Sequence, residues 1–440
     1  MRLLPLLTAS WILASTLLGQ GALVFDDEPR NPEQGAGAVH CDIPPHLLVS
    51  HLPQAKTMGA PDWCKPGTRI TWWMGTATIV GGAGTTTAVE DPNGDLQDSS
   101  GKRYRQDSVQ GGMGAAGFMQ YDVIYAGPDG VLMDVRQYTG DGSVSAPSCQ
   151  MVNSVAVHPG SCEFWIHPDL LRALEPAQIG NFRILKGPYK VNGRTYNAVM
   201  FTDKTAGDGS TTVFDMEAGL QISMSSQSTS TKGHTAYDPN TGNVNPGSSN
   251  NKTMVVAQIR GMRQMNLPWA QGPALKPTFQ GGTYQGSQGI QSSMGSYMSP
   301  IQETVSIVGR GANWFLAKGQ RTQMGESMGS YVRANALNQI GGWQLPVEAL
   351  ARLRQGQVLD QDPITRTQTV VEYVGPSNNG QPILGIVEVT PGSTLRWIYD
   401  TRTGELTASG VINPIQMGDG ATVTQLERVG GMPDRGGNGW

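Results

Sequence analysis

Charge is what this 440-residue chain has least of. Only 15% of residues are Asp, Glu, Lys or Arg, against about 25% in an ordinary soluble protein. The formal net charge is −4, and Lys and Arg form no extended run. Electrostatic binding of nucleic acid needs a clustered basic face, so that function class is excluded. Cysteine is also scarce. The four present, Cys41, Cys64, Cys149 and Cys162, lie in the first 162 residues and form no C-x-x-C pair. There is no P-loop, no G-x-G-x-x-G following a strand, no H-E-x-x-H and no C-x-x-C-H, so no motif calls for a cofactor. After the N-terminus no segment is apolar enough to cross a bilayer as a helix.

The N-terminus itself reads as an export signal. Arg2 precedes an apolar stretch from Leu3 to Leu18, and small residues at Gly19 and Gly21 suggest cleavage before Ala22. The expectation is a signal over residues 1–21 and a secreted or periplasmic protein. In that compartment an even number of cysteines reads as two disulfides. Short loops favour Cys41–Cys64 and Cys149–Cys162.

Four landmarks then occur twice in the same order. A Val-rich strand ends at Gly127 and at Gly309. A Trp-x-x-Pro that opens a helix falls at Trp165/Pro168 and at Trp343/Pro346. Asn-Gly falls at 192–193 and at 379–380, and an aromatic-Asp-x3-Gly turn begins at Phe214 and at Tyr399. A period near 180 residues is far beyond a solenoid unit of about 20–50. It predicts two copies of one domain, over 22–226 and 252–427. Between them 227–251, rich in Ser, Thr, Gly and Asn without apolar periodicity, reads as a polar linker. Residues 428–440 read as a disordered tail.

Each copy is expected to be mainly β. Pro168 with Leu170, Leu171 and Leu174, and Pro346 with Val347, Leu350 and Leu353, mark one short helix apiece. Helices that short need a sheet to lie on. Around them run alternating segments such as Ile386-Val387-Glu388-Val389, which suit antiparallel sheets with one wet face. The predicted fold is two tandem curved antiparallel sheets, each a half-open barrel with one helix packed across it.

Several constellations invite a chemical reading. Gly325-Glu-Ser327-Met-Gly329 matches a nucleophile elbow, but the last histidine is His234 and no α/β alternation surrounds the motif. Asp91, Asn93, Asp95 and Asp98 alternate as in a calcium loop, yet Gly94 is misplaced and Lys102 stands where the final Glu belongs. An Asp-Pro-Asn-Gly turn explains the same residues. His40, Cys41, His46 and His51 match no metal-finger spacing. His167 suits a helix cap. Aromatic and Met residues beside the helices offer either core or the wall of an apolar groove. The candidate ligand contacts are Trp165, Leu170, Leu174, Met200, Met224, Trp343, Leu350, Leu353 and Trp397.

The turns Phe214-Asp215…Gly219-Leu220 and Tyr399-Asp400…Gly404-Glu405-Leu406 resemble the hairpin of the LolA/LppX-like periplasmic lipoprotein-carrier folds. The second copy departs from that pattern by inserting Glu405. The resemblance implies a sheet curled around a lipid- or acyl-binding groove and transfers no ligand residue. Two domains in tandem, disulfides and long Gly-rich loops depart from a single-domain carrier. The expected function is therefore non-enzymatic binding of an apolar small molecule or an envelope protein. The rivals are an extracellular hydrolase using carboxylates in loops such as 89–106, and a cell-surface structural protein.

Overall fold

Alternating Val, Thr, Ile and aromatic residues between Gly-rich turns pair as antiparallel strands along most of the described residues. In the computed structural model, the described residues are 58–81, 86–90, 96–97, 103–108, 113–127, 130–139, 148–157, 161–162, 165–205, 208–237, 244–270, 275–415 and 420–429. The expected signal, the 91–95 part of the calcium-like loop, Cys41 and the three N-terminal histidines lie outside them.

The first sheet uses β1 (Thr68–Gly81), β2 (Met113–Gly127), β3 (Gly130–Thr139), β4 (Ser148–Val157), β5 (Ala177–Ile179), β6 (Phe182–Val191), β7 (Arg194–Thr205), β8 (Asp208–Asp215), β9 (Gln221–Tyr237) and β10 (Val244–Gln264). The second uses β11 (Gly282–Ser292), β12 (Gly295–Arg310), β13 (Trp314–Gln323), β14 (Glu326–Ala336), β15 (Val358–Asp362), β16 (Thr367–Pro376), β17 (Pro382–Thr390), β18 (Ser393–Asp400), β19 (Leu406–Pro414) and β20 (Ala421–Arg428). The spatial order is β5-β6-β7-β8-β9-β10-β1-β2-β3-β4 in one and β15-β16-β17-β18-β19-β20-β11-β12-β13-β14 in the other. Strand for strand the two topologies coincide. Each helix, α1 (Pro168–Ala173) and α2 (Val347–Leu350), falls between the fourth and fifth strands of its set. Among the described residues neither sheet closes into a barrel. Three short strands extend from β9 of the first sheet: Thr86–Glu90 pairs with β9, Arg103–Ser108 with Thr86–Glu90, and Leu96–Gln97 with Arg103–Ser108.

The duplicated landmarks touch one another in the same way in both halves. Each aromatic-Asp-x3-Gly turn closes by a Gly N–H donating to the Asp carbonyl, at 2.8 Å for Gly219 to Asp215 and for Gly404 to Asp400. Gly219 and Gly404 both sit at positive φ, 72° and 73°, which glycine adopts without strain. The chain entering the helix then docks on that turn. Ile166 N–H donates to Gly219 O, and Leu345 N–H to Gly404 O, each at 2.9 Å. His167 caps α1, its Nδ1 accepting from the Asp169 N–H at 3.2 Å.

Three expectations change. Within the expected linker 227–251, residues 227–237 and 244–251 are no linker. They belong to the hairpin of β9 and β10, with Gln227 opposite Met254 and Tyr237 opposite Val244. A ladder needs only backbone groups and strand-compatible residues, and Thr is one. Polar residues on both faces therefore erase the periodicity without erasing the strand. Second, β10 runs to Gln264, so the first sheet claims residues expected for the second unit. The connection that follows is not slack, because Met265, Leu267, Trp269, Leu275 and Phe279 are buried in the core of the second sheet. Third, the expected tail begins inside the fold: Arg428 ends β20 and the Val429 N–H donates to Thr283 O at 2.8 Å. Residues from 430 onward lie outside the described set.

The two helices are short, as expected, with six residues in α1 and four in α2. The second Asn-Gly turn differs from the first. Asn192-Gly193 makes a two-residue hairpin loop between Val191 and Arg194. In the second half Ser377–Gln381 forms a longer loop between Pro376 and Pro382.

Candidate functional site

The candidate ligand contacts separate into several places. Leu170 and Leu174 pack with Ile184, Val199, Phe201 and Phe214 in a core beside α1. Trp165 belongs to a different cluster with Trp72, Met119 and Tyr121, and meets Trp63 edge-on at 5.5 Å. Met200 flanks that second cluster and is half-buried, as is Met224. In the second half Trp343, Leu350, Leu353 and Trp397 do share one core. Trp343 stacks on Phe279 at 5.9 Å and tilts against Tyr284 at 5.4 Å. Phe118 and Tyr138, from β2 and β3 of the first sheet, enter the same core. The face expected to line a groove in the second half is thus covered by the first half.

Cys64 carries a free, buried thiol, and burial pushes its pKa up to about 12. Its expected partner Cys41 lies outside the described residues, as do the side chains of Cys149 and Cys162. The elbow-like Ser327 sits in the β13–β14 hairpin opposite Thr322. A nucleophile elbow instead turns from strand to helix.

Where the halves meet, charged side chains are buried in numbers the low total charge did not suggest. Arg69 on β1 grips Asp122 of β2 with Nε and Nη2, both at 2.6 Å. Its Nη1 reaches Asp360 of β15 at 3.1 Å and Asp362 at 3.5 Å. Arg263 of β10 holds Asp360 at 2.8 and 2.6 Å. Gln120 donates to Asp362 at 2.8 Å and accepts from the Tyr138 hydroxyl at 3.0 Å. Burial alone would raise the Asp362 pKa. The guanidiniums of Arg69 and Arg263, with the N–H groups of Thr365 and Ile364, reverse this and hold it below the ordinary 3.8.

A second group lies along the same contact. Arg136 of β3 donates to both Glu388 oxygens, on β17, at 2.6 and 2.5 Å. Thr369 adds a hydrogen bond to Glu388 at 3.2 Å. Arg333 donates to the carbonyls of Gly341 and Ile340, and Gln339 to Asp134 at 2.7 Å. Arg136 with Glu388, and Asp134 with Gln339, pair groups from opposite halves. Their chemistry is that of a lock between the sheets. The sequence did hold a signal for them: Glu388 interrupts the apolar stripe Leu384-x-Ile386-x-Glu388, and Asp122 and Asp134 interrupt β2 and β3.

Among the described residues, the most exposed apolar side chains lie at the hairpin ends of the second sheet. Met294, at the β11–β12 turn, is 93% exposed, Tyr297 72% and Met324, at the β13–β14 turn, 71%. Ile290 and Met328 are exposed as well. Ile290 and Tyr297 are directly opposed across β11 and β12. By alternation they lie on the strand faces that carry buried Tyr284, Ser299 and Ile301 further down. One face therefore runs continuously from the core to the open tip. No charged residue occurs from 277 to 302.

No protein family matches the chain, and no curated protein matches it. Among solved structures, a protein of unknown function from the DUF3598 family of Nostoc punctiforme is similar at 10% identity. The match covers 84% of this chain and 100% of that one, with a TM-score of 0.13. A score so low carries no argument about fold or function.

Proposed function

We propose that this is a non-enzymatic binding protein of the secreted or periplasmic space whose partner is an apolar, lipid-like molecule or an envelope component presenting one. The observation that carries this reading is the uncharged β11–β12 hairpin end with Met294 and Tyr297 exposed. Contiguous exposed apolar side chains mark interaction sites in soluble proteins. Met adds a flexible, polarisable contact that adapts to partners of irregular shape. The apolar stretch from Leu3 to Leu18 behind Arg2, read as an export signal, supports the compartment. The carrier-like Asp…Gly turns agree with the ligand class.

The test is native mass spectrometry of protein purified from its own host, together with titration of a fluorescent fatty acid. Co-purified lipid and saturable probe uptake are expected. A protein that arrives bare and leaves the probe emission unchanged at micromolar concentrations overturns the reading.

A further inference from the structure

We infer that the partner is the surface of a zwitterionic phospholipid bilayer, and that the β11–β12 hairpin is the element that enters it. This rests on the apolar-partner reading above and assigns the form in which the lipid is met.

Three observations converge on the hairpin. The first is charge. From 277 to 302 the chain carries none, so entry into an apolar phase strips water from no ion, the step that makes membrane burial costly. An uncharged element also has no preference for anionic over neutral headgroups.

The second is the backbone. β11 and β12 pair continuously from Gly282/Val305 to Ser292/Gly295, and β11 is paired on its other side to β20 as far as Gln291/Ala421. Most donors and acceptors at the tip are thereby satisfied without water, as a bilayer demands. The outer edge of β12 between Gly295 and Pro300 has no second ladder partner among the described residues, because β13 begins pairing only at Ile301. That limits entry to the tip. Met294 would reach the acyl boundary while Tyr297 stays at the headgroup level, where its ring and hydroxyl suit the mixed environment.

The third is shape. Because Ile301 pairs with Gln323 at the end of β13, the six residues before it run past the β13–β14 hairpin by roughly 20 Å, while on the other side β20 flanks β11 as far as Gln291. A stable protein–protein contact needs about 800 Å² of complementary surface per partner. Met294 and Tyr297 at the end of this strip offer no such face to a second copy of this chain. A fluid lipid surface accommodates them.

The experiment is flotation of the full-length protein with phosphatidylcholine vesicles at low and high salt, beside sedimentation velocity without lipid. The wild type is expected to float equally at both salt levels. The double variant Met294→Asp/Tyr297→Asp should float about tenfold less at an unchanged melting temperature, since both side chains are exposed. Met294→Leu/Tyr297→Phe should float like the wild type. A wild type that stays in the dense fraction overturns the inference, as does flotation that requires anionic lipid and vanishes in salt, or an Asp variant that floats normally. A dimer abolished by the Asp pair, without vesicle binding, assigns the tip to a second copy and overturns it too. Uptake of the soluble fatty-acid probe without flotation removes this inference and leaves the proposed function standing. Failure of both removes both.

Discussion

Arg136 and Glu388 come from different sheets and meet with neither side chain exposed to solvent. A buried pair of this kind adds little net stability over apolar residues of similar size, but loss of one partner strands the other charge. Glu388→Ala or Arg136→Ala should therefore each cost about 3–5 kcal/mol. The double replacement Arg136→Met/Glu388→Leu should recover most of that. Urea midpoints at constant m-value measure it. A negligible single-variant effect, or a double variant as unstable as the sum of the singles, would show that the pair does not lock the halves.

Asp362 gives that contact a pH dependence. Its folded pKa is depressed below 3.8, so the stabilisation is fully present above the unfolded value. It disappears as pH falls through the folded one, below 3.8. Denaturant midpoints should be flat near neutrality and drop steeply under about pH 4. Asp362→Asn should lower stability at pH 7 by about 3 kcal/mol and flatten part of the acid slope. An unchanged slope would assign acid sensitivity to other carboxylates.

Glycines at positive φ separate two costs. Gly193 and Gly380, at φ 79° and 81°, have open space where a Cβ would stand, so Ala there should cost only about 1–2 kcal/mol of backbone strain. At Gly219 and Gly404 the added Cβ would also be driven into a backbone carbonyl, that of Ile166 or Leu345. Those two variants should lose more than about 3 kcal/mol. Thermal melts of all four check it, and equal losses would refute the docking role of the Asp…Gly turns.

The repeat was legible because turns and helix starts depend on few residues and local chemistry. Trp343/Pro346 and Tyr399-Asp400…Gly404 announce themselves within a handful of positions. The contact between halves was not legible, because Arg69 meets Asp360 and Arg136 meets Glu388 across some 250–290 residues, and nothing local pairs them. The hairpin of β9 and β10 was hidden for a different reason. Strand signals come from an apolar face, and a Ser/Thr/Asn ribbon shows none. The apolar tip at Met294 and Tyr297 shows in the sequence only as a Ser-Met-Gly-Ser-Tyr segment that occurs at 293–297 and again at 327–331, since exposure is set by which strands stop short beside it.

Cys64 tests both the burial of the first core and the expected bridge to Cys41. With its pKa pushed from 9.0 to about 12, the thiolate fraction at pH 8 falls about a thousandfold, and burial blocks access besides. A thiol reagent added to native protein should leave Cys64 unmodified for hours, and peptide mapping should find it labelled within minutes in concentrated urea without reductant. The raised pKa also predicts that stability is complete below pH 9 and declines as pH rises towards 12, because only the unfolded chain ionises there. Should Cys64 resist labelling even in urea until a reductant is added, it is oxidised in the native protein and the free thiol is wrong. Should it label rapidly in the native state, the segment carrying Trp63 and Cys64 does not seal that core.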